Sequence, residues 1–107
     1  MDQGLHARRA PRLEVWQVWE AMPRQEQAQM IREAVSEKFG GGVPAERIAV
    51  YVTAQLVAIN SAALGRLFNH NVDWTLRALH DIGERTKQDP SFAAKVASVQ
   101  DAITDRL

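Results

Sequence analysis

The fold is decided by residues 48–65, which read IAVYVTAQLVAINSAALG and contain no charged side chain. A stretch of this length without charge is expected to bury most of its surface, because burying apolar side chains drives folding. A membrane span needs about 20 predominantly apolar residues, and this stretch is interrupted by four polar ones, Thr53, Gln55, Asn60 and Ser61. We therefore interpret it as the middle of a buried helix over about residues 44–68.

The first part of this stretch is also compatible with a strand, because it is rich in β-branched residues (Ile48, Val50, Val52 and Thr53). A strand needs at least one neighbour, since an isolated strand is not stable in water. No nearby segment offers a second strand pattern. The helix is therefore the favoured interpretation.

Shorter amphipathic segments lie on both sides of the central stretch. Their apolar residues recur every three or four positions, which is typical of helices with one buried face. Proline, the run of glycines at 40–42, and the Asn69–Asn71 and Asp89-Pro90 breaks separate these segments, which cover residues 13–22, 23–39, 72–87 and 90 onward. The sequence predicts an all-α protein, a small bundle of four to five helices with a long central helix over about 44–68.

The composition indicates one soluble domain. The chain has 107 residues, 13 basic and 13 acidic side chains, and no cysteine, which excludes disulfides and thiolate chemistry. Met1 to Gly4 lack the basic and apolar pattern of a signal peptide, so we expect a cytoplasmic protein. We divide the chain into a flexible basic N-terminal arm over 1–12 and a single helical domain over 13–107.

The sequence contains no recognisable catalytic pattern. His80 and Glu84 stand four residues apart and could share a cation, but a metal site needs three or four ligands and no third one follows. The glycines at 40–42 lack the Gly-Lys-Ser/Thr ending of a phosphate-binding loop. We therefore expect no metal, no cofactor and no catalytic residue, and predict that the protein is not an enzyme.

The segment over residues 13–22 has an unusually wide apolar face, with two tryptophans, two valines, a leucine and a methionine. Tryptophan and methionine are enriched at protein interfaces, and tryptophan often dominates the binding energy. We predict that this face binds a protein partner through Val15, Trp16, Trp19 and Met22. The alternative is that both indole rings complete the core of the bundle.

Small residues recur at every fourth position of the central stretch, at Ala54, Ala58 and Ala62, with Ser61 and Gly65 beside them. On a continuous helix such a ridge lets another helix approach closely. A helix of about 25 residues would span roughly 37 Å, longer than its neighbours, and a symmetric second copy could cover the excess. We predict a homodimer whose interface contains Ala54, Ala58, Ser61, Ala62 and Gly65.

In size and composition the chain resembles small helical regulators, such as antiactivators and anti-sigma proteins, which sequester a transcription factor by surface contact. The resemblance implies a non-enzymatic regulator or adaptor that binds a protein partner. One alternative is a structural subunit of a larger assembly. Another is a nucleic-acid-associated accessory protein that uses Arg8, Arg9 and Arg12, although the balanced charge argues against nucleic acid as a partner.

The nucleic-acid alternative makes its own prediction. If Arg8, Arg9 and Arg12 neutralise phosphates, binding to DNA or RNA will weaken steeply with salt and disappear when residues 1–12 are deleted. Fluorescence anisotropy with a labelled duplex and a labelled single strand measures both effects. Binding that survives the deletion would remove the arm from consideration.

Overall fold

The computed structural model describes residues 15–107, which form helices joined by short links. Six helices are present in this part of the chain: α1 over 15–21, α2 Arg24–Phe39, α3 Val43–Leu56, α4 Ser61–Leu67, α5 Val72–Gln88 and α6 Pro90–Arg106. The predicted all-α class is confirmed, and the described residues contain no strand. The predicted number of four to five helices is too low. The proposed arm over 1–12 lies outside the described residues.

The predicted central helix over about 44–68 is wrong, because the apolar stretch forms two helices. α3 ends at Leu56 and α4 begins at Ser61. Between them Val57 is extended, with φ −125° and ψ 131°. Asn60 caps α4, since its side-chain oxygen accepts a hydrogen bond from the backbone N–H of Ala63 at 2.8 Å. Asparagine is among the best N-cap residues, so it gives the second half of the stretch a helix start of its own.

The carbonyl groups exposed by this break accept hydrogen bonds from two residues earlier in the chain. The indole Nε1 of Trp19 donates to the carbonyl of Leu56 at 3.3 Å, and Nη2 of Arg24 donates to the carbonyl of Ala58 at 3.0 Å. The last carbonyls of a helix have no partner within it, and burying one unpaired is costly. Trp19 and Arg24 therefore stabilise the point at which the apolar stretch bends.

The core is built around α3, whose residues 48–56 belong to the uncharged stretch that the sequence predicts to be buried. The helix packs against α2 on one side and α5 on another, while α6 packs against α2 and α5. Within α3, the hydroxyl of the fully buried Thr53 donates to the carbonyl of Ala49 at 2.7 Å, so its polar atom is satisfied. The largest fully buried aliphatic side chains come from four helices, α2, α3, α4 and α6: Ile31, Val35, Ile48, Val50, Leu64, Val99 and Ile103. Helix α5 contributes Ile82, which is 6% exposed.

The short α4 packs closely on the start of α5 because residue 65 is glycine. A Cβ atom at Gly65 would lie 2.7 Å from the carbonyl oxygen of His70 and 2.9 Å from the hydroxyl of Thr75. The N–H of His70 also donates to the carbonyl of Gly65 at 2.8 Å. Gly65 therefore belongs to an internal helix contact, where any side chain would force the two elements apart.

We expect the substitution Gly65→Ala to lower the free energy of unfolding by about 1–3 kcal/mol, because the new methyl group overlaps backbone that cannot move freely. Gly83→Ala is the matched control, since its methyl group would lie 3.6 Å from a Tyr51 ring carbon, an ordinary contact. Alanine in a helix interior is favoured over glycine by about 1 kcal/mol, so this variant should be slightly more stable. Urea unfolding followed by circular dichroism measures both, and equal effects would contradict the close contact at Gly65.

Candidate partner-binding groove

A groove lies between the end of α1, the start of α2 and the link after α3. Its volume is about 280 Å³, and its apolar lining consists of Trp19, Met22, Leu56 and Val57. The charged side chains of Glu20 and Arg24 also border it. Pockets for small molecules usually have volumes of about 300–1,000 Å³. A space of this size, at the lower end of that range, can hold a single large side chain projecting from another protein.

Trp19 forms the buried wall of this groove, with only 2% of its surface exposed. Besides donating to Leu56, it is held through its own backbone, because Nε2 of the buried Gln27 donates to the Trp19 carbonyl at 2.6 Å. The Trp16 ring meets it edge to face, with centroids 6.3 Å apart and planes at 86°. This geometry is favourable for aromatic pairs. The structure therefore places Trp19 in the core, so α1 would have to move for a partner to contact most of its surface.

The other residues of the predicted partner-binding face are less deeply placed. Val15, Trp16 and Met22 are half-buried, and the last two pack against the core. Val18, which was not among the predicted contact residues, is 51% exposed. Helical periodicity placed all these side chains on one broad face, and only the docking of α1 on its neighbours separates an inner part from an outer one.

The five residues of the predicted dimer interface do not form one ridge, because the helix that would align them is broken. Ala54 is half-buried in α3, Ala58 is exposed in the link, and Ser61 and Ala62 lie in the first turn of α4. Gly65 is buried against His70 and Thr75. The continuous small-residue surface inferred from spacing is therefore absent from this structure, and Gly65 packs inside the subunit.

A second cluster of polar and aromatic residues, which sequence reasoning missed, joins α2, α3 and the start of α5. One oxygen of the Glu46 carboxylate lies 3.4 Å from Arg32 Nε, and the other lies 3.4 Å from His70 Nε2. The His70 ring stacks on Trp74 with centroids 3.5 Å apart and planes at 7°, and the Arg32 guanidinium lies over Phe68 at 4.5 Å. These residues come from distant positions with no common spacing, so no sequence pattern could have revealed the cluster.

This cluster borders a cavity of about 270 Å³ that is lined by Arg32, Ser36, Gly42, Ala45, Glu46 and Ala49. Nucleophilic catalysis would require a hydroxyl group hydrogen-bonded to the imidazole or the carboxylate. In residues 15–107 the hydroxyl groups that form hydrogen bonds all donate to main-chain carbonyls instead: Thr53, Thr75, Thr86, Ser98 and Thr104. The observed contacts fit a structural ion pair that ties three elements together.

His80 and Glu84, the residues that could share a cation, both lie on α5. His80 is exposed, and Glu84 pairs with Lys87 at 3.3 Å. Within the described part of the chain, no three histidine, aspartate or glutamate side chains are grouped closely enough to hold a metal ion. Arg8, Arg9 and Arg12 lie outside the described residues. None of the described helices is both long and apolar enough to cross a membrane.

Comparison with known proteins gives no further assignment. The chain matches no protein-family model, no curated protein and no solved structure.

The different placement of the two tryptophans can be tested by stability. We expect Trp19→Ala to lower the free energy of unfolding by about 3–5 kcal/mol, as for other large buried aromatic residues. Trp16→Ala should have a clearly smaller effect, since its ring is half-buried at the edge of the core. Urea unfolding followed by far-ultraviolet circular dichroism compares them. An equal or larger loss at Trp16 would contradict the placement of Trp19.

Proposed function

We propose that this protein is a non-enzymatic regulator or adaptor that binds a partner protein at the groove beside α1. The observation that carries the proposal is a groove with apolar and charged side chains in its lining, next in sequence to an exposed valine, Val18. Val18 lies in the last turns of α1, and Met22 directly follows the end of that helix. Met22 lines the groove, and Val18, which precedes the groove residue Trp19, is a large apolar side chain that is exposed to solvent.

The partner segment is proposed to insert one large apolar side chain between Met22, Leu56 and Val57. Polar side chains flanking it would contact Glu20 and Arg24, which carry opposite charges at the edge of the groove. The link after α3 adds backbone groups, because the N–H groups of Ala58 and Ile59 donate no backbone hydrogen bond to the described residues. A central apolar contact with a polar rim is the usual organisation of a protein interface.

The resemblance to small helical regulators supports a transcription factor as the class of partner, bound by surface contact. We also propose that the protein acts in the cytoplasm and forms a homodimer. Trp19, the buried wall of the groove, forms hydrogen bonds with both Leu56 and Gln27. This fixed wall supports the proposal that a partner binds without a large rearrangement of the groove. Preorganised surfaces lose less conformational entropy on association than mobile ones.

The test begins with affinity capture from the native host, followed by reconstitution with the purified candidate. We expect Val18→Glu to weaken binding of that candidate at least about tenfold, because a carboxylate would be desolvated against an apolar contact. Titration monitored by tryptophan fluorescence gives the dissociation constant. Circular dichroism checks that the variant is folded, as expected for an exposed helical position.

Ala94→Glu serves as the matched control. Ala94 is an exposed residue of α6. Its neighbour Lys95 contacts Phe39 at the C-terminal end of α2, whereas the groove residue Arg24 lies at the N-terminal end of that helix. Ala94 is therefore a helical surface position away from the groove. The Ala94→Glu variant should bind the purified candidate with unchanged affinity. If Val18→Glu binds as tightly as the unsubstituted protein, the groove is not the binding site. If no captured protein binds after purification, the proposed function fails.

A further inference from the structure

Helix α5 buries a different face from the one its sequence favours. Its apolar residues Val72, Leu76 and Leu79 form one stripe, as expected for an amphipathic helix. The side chains that it buries are Thr75, Ala78 and Ile82, whose mean direction lies about 110° around the helix axis from the mean direction of Val72 and Leu76. As a result Val72 is 40% exposed, Leu76 is 48% exposed, and Leu79 is half-buried beside them.

In the described part of the chain, three large hydrophobic side chains are exposed: Val72, Leu76 and Val18. Val72 and Leu76 stand one turn apart on a helix of 17 residues, so they form a short continuous apolar strip. The packing of α5 on α3, α4 and α6 does not cover it. An apolar strip exposed on the surface of a folded domain often marks a contact with another molecule.

The charges beside the strip indicate what that molecule is. Asp73 and Arg77 are exposed, stand four residues apart on the same flank of the strip, and have no ion-pair partner among the described residues. When two copies of a helix pack antiparallel around a twofold axis, each flank faces the same flank of the other copy. With the axis close to residues 75 and 76, Asp73 of each copy comes level with Arg77 of the other.

We propose that two copies of this chain associate through an antiparallel α5–α5 contact, with Leu76 near the twofold axis and Asp73–Arg77 pairs on the rim. A parallel contact would instead bring Asp73 level with Asp73 of the other copy, and Arg77 level with the other Arg77, without pairing opposite charges. The zero net charge of the chain supports the proposal, since it leaves no overall repulsion between copies. The residues of this surface are not among those that line the groove beside α1, so the contact specifies the proposed homodimer without depending on partner binding in the groove.

The apolar centre of this contact is small, so we expect a dissociation constant in the micromolar range rather than the nanomolar range of larger interfaces. Sedimentation equilibrium of the full chain should show a mass rising from the monomer value of 12.0 kDa toward twice that value as concentration increases. A mass that stays at the monomer value up to about 500 μM, where a micromolar complex would be saturated, overturns the proposal.

Leu76→Glu tests the centre of the contact. We expect it to raise the dimer dissociation constant at least about tenfold, because two carboxylates would meet at the twofold axis. Ala62→Glu is the control, since Ala62 is exposed in α4 and belongs to the small-residue row predicted from the sequence. If Ala62→Glu dissociates the dimer and Leu76→Glu does not, the interface lies on the other surface and the proposal is wrong.

A charge exchange tests the antiparallel register. Asp73→Arg should weaken the dimer by placing like charges together, and adding Arg77→Asp should restore the affinity to within about threefold of the unsubstituted protein. Both positions are exposed, so circular dichroism should show all variants folded. Failure of the second substitution to restore binding, or formation of species larger than a dimer, overturns the proposed arrangement.

Discussion

The arrangement of the helices depends on the break between α3 and α4, where the Trp19 indole donates a hydrogen bond to the Leu56 carbonyl. Leu56 is the last residue of α3, and its carbonyl has no partner within the helix. Because a donor is supplied from α1, the apolar stretch can stop there and start again at Asn60. The second half then turns and packs on α5, with Gly65 allowing the two backbones to approach closely. A continuous rod would have carried α4 away from that contact.

The same bond gives α1 two different roles. Its inner surface completes the core through Trp19, while its outer surface leaves Val18 exposed to solvent. Helix α5 shows a similar division, since Thr75 and Ile82 are buried and Leu76 is exposed. In both helices the apolar surface exceeds what the subunit buries. The exposed residues of α5 are not among those that line the groove beside α1.

The charged cluster around Glu46 illustrates how polar groups are accommodated at the edge of a small core. Its carboxylate contacts both Arg32 and His70, the Arg32 guanidinium lies over Phe68, and the His70 ring stacks on Trp74. Aromatic faces are favourable neighbours for cationic groups and shield them partly from water. The cluster ties α2 and α3 to the start of α5.

The sequence by itself determined the all-α class, the central position of the uncharged stretch, and most helix ends, because proline, glycine and capping residues act locally. Only the tertiary structure decided the break at 57–60, since the Asn60 cap competes with a continuous helix and the outcome depends on donors from Trp19 and Arg24. It also decided which part of each broad apolar face is buried. Periodicity defines a face to within about a quarter turn, whereas the neighbouring helices select the buried part by packing.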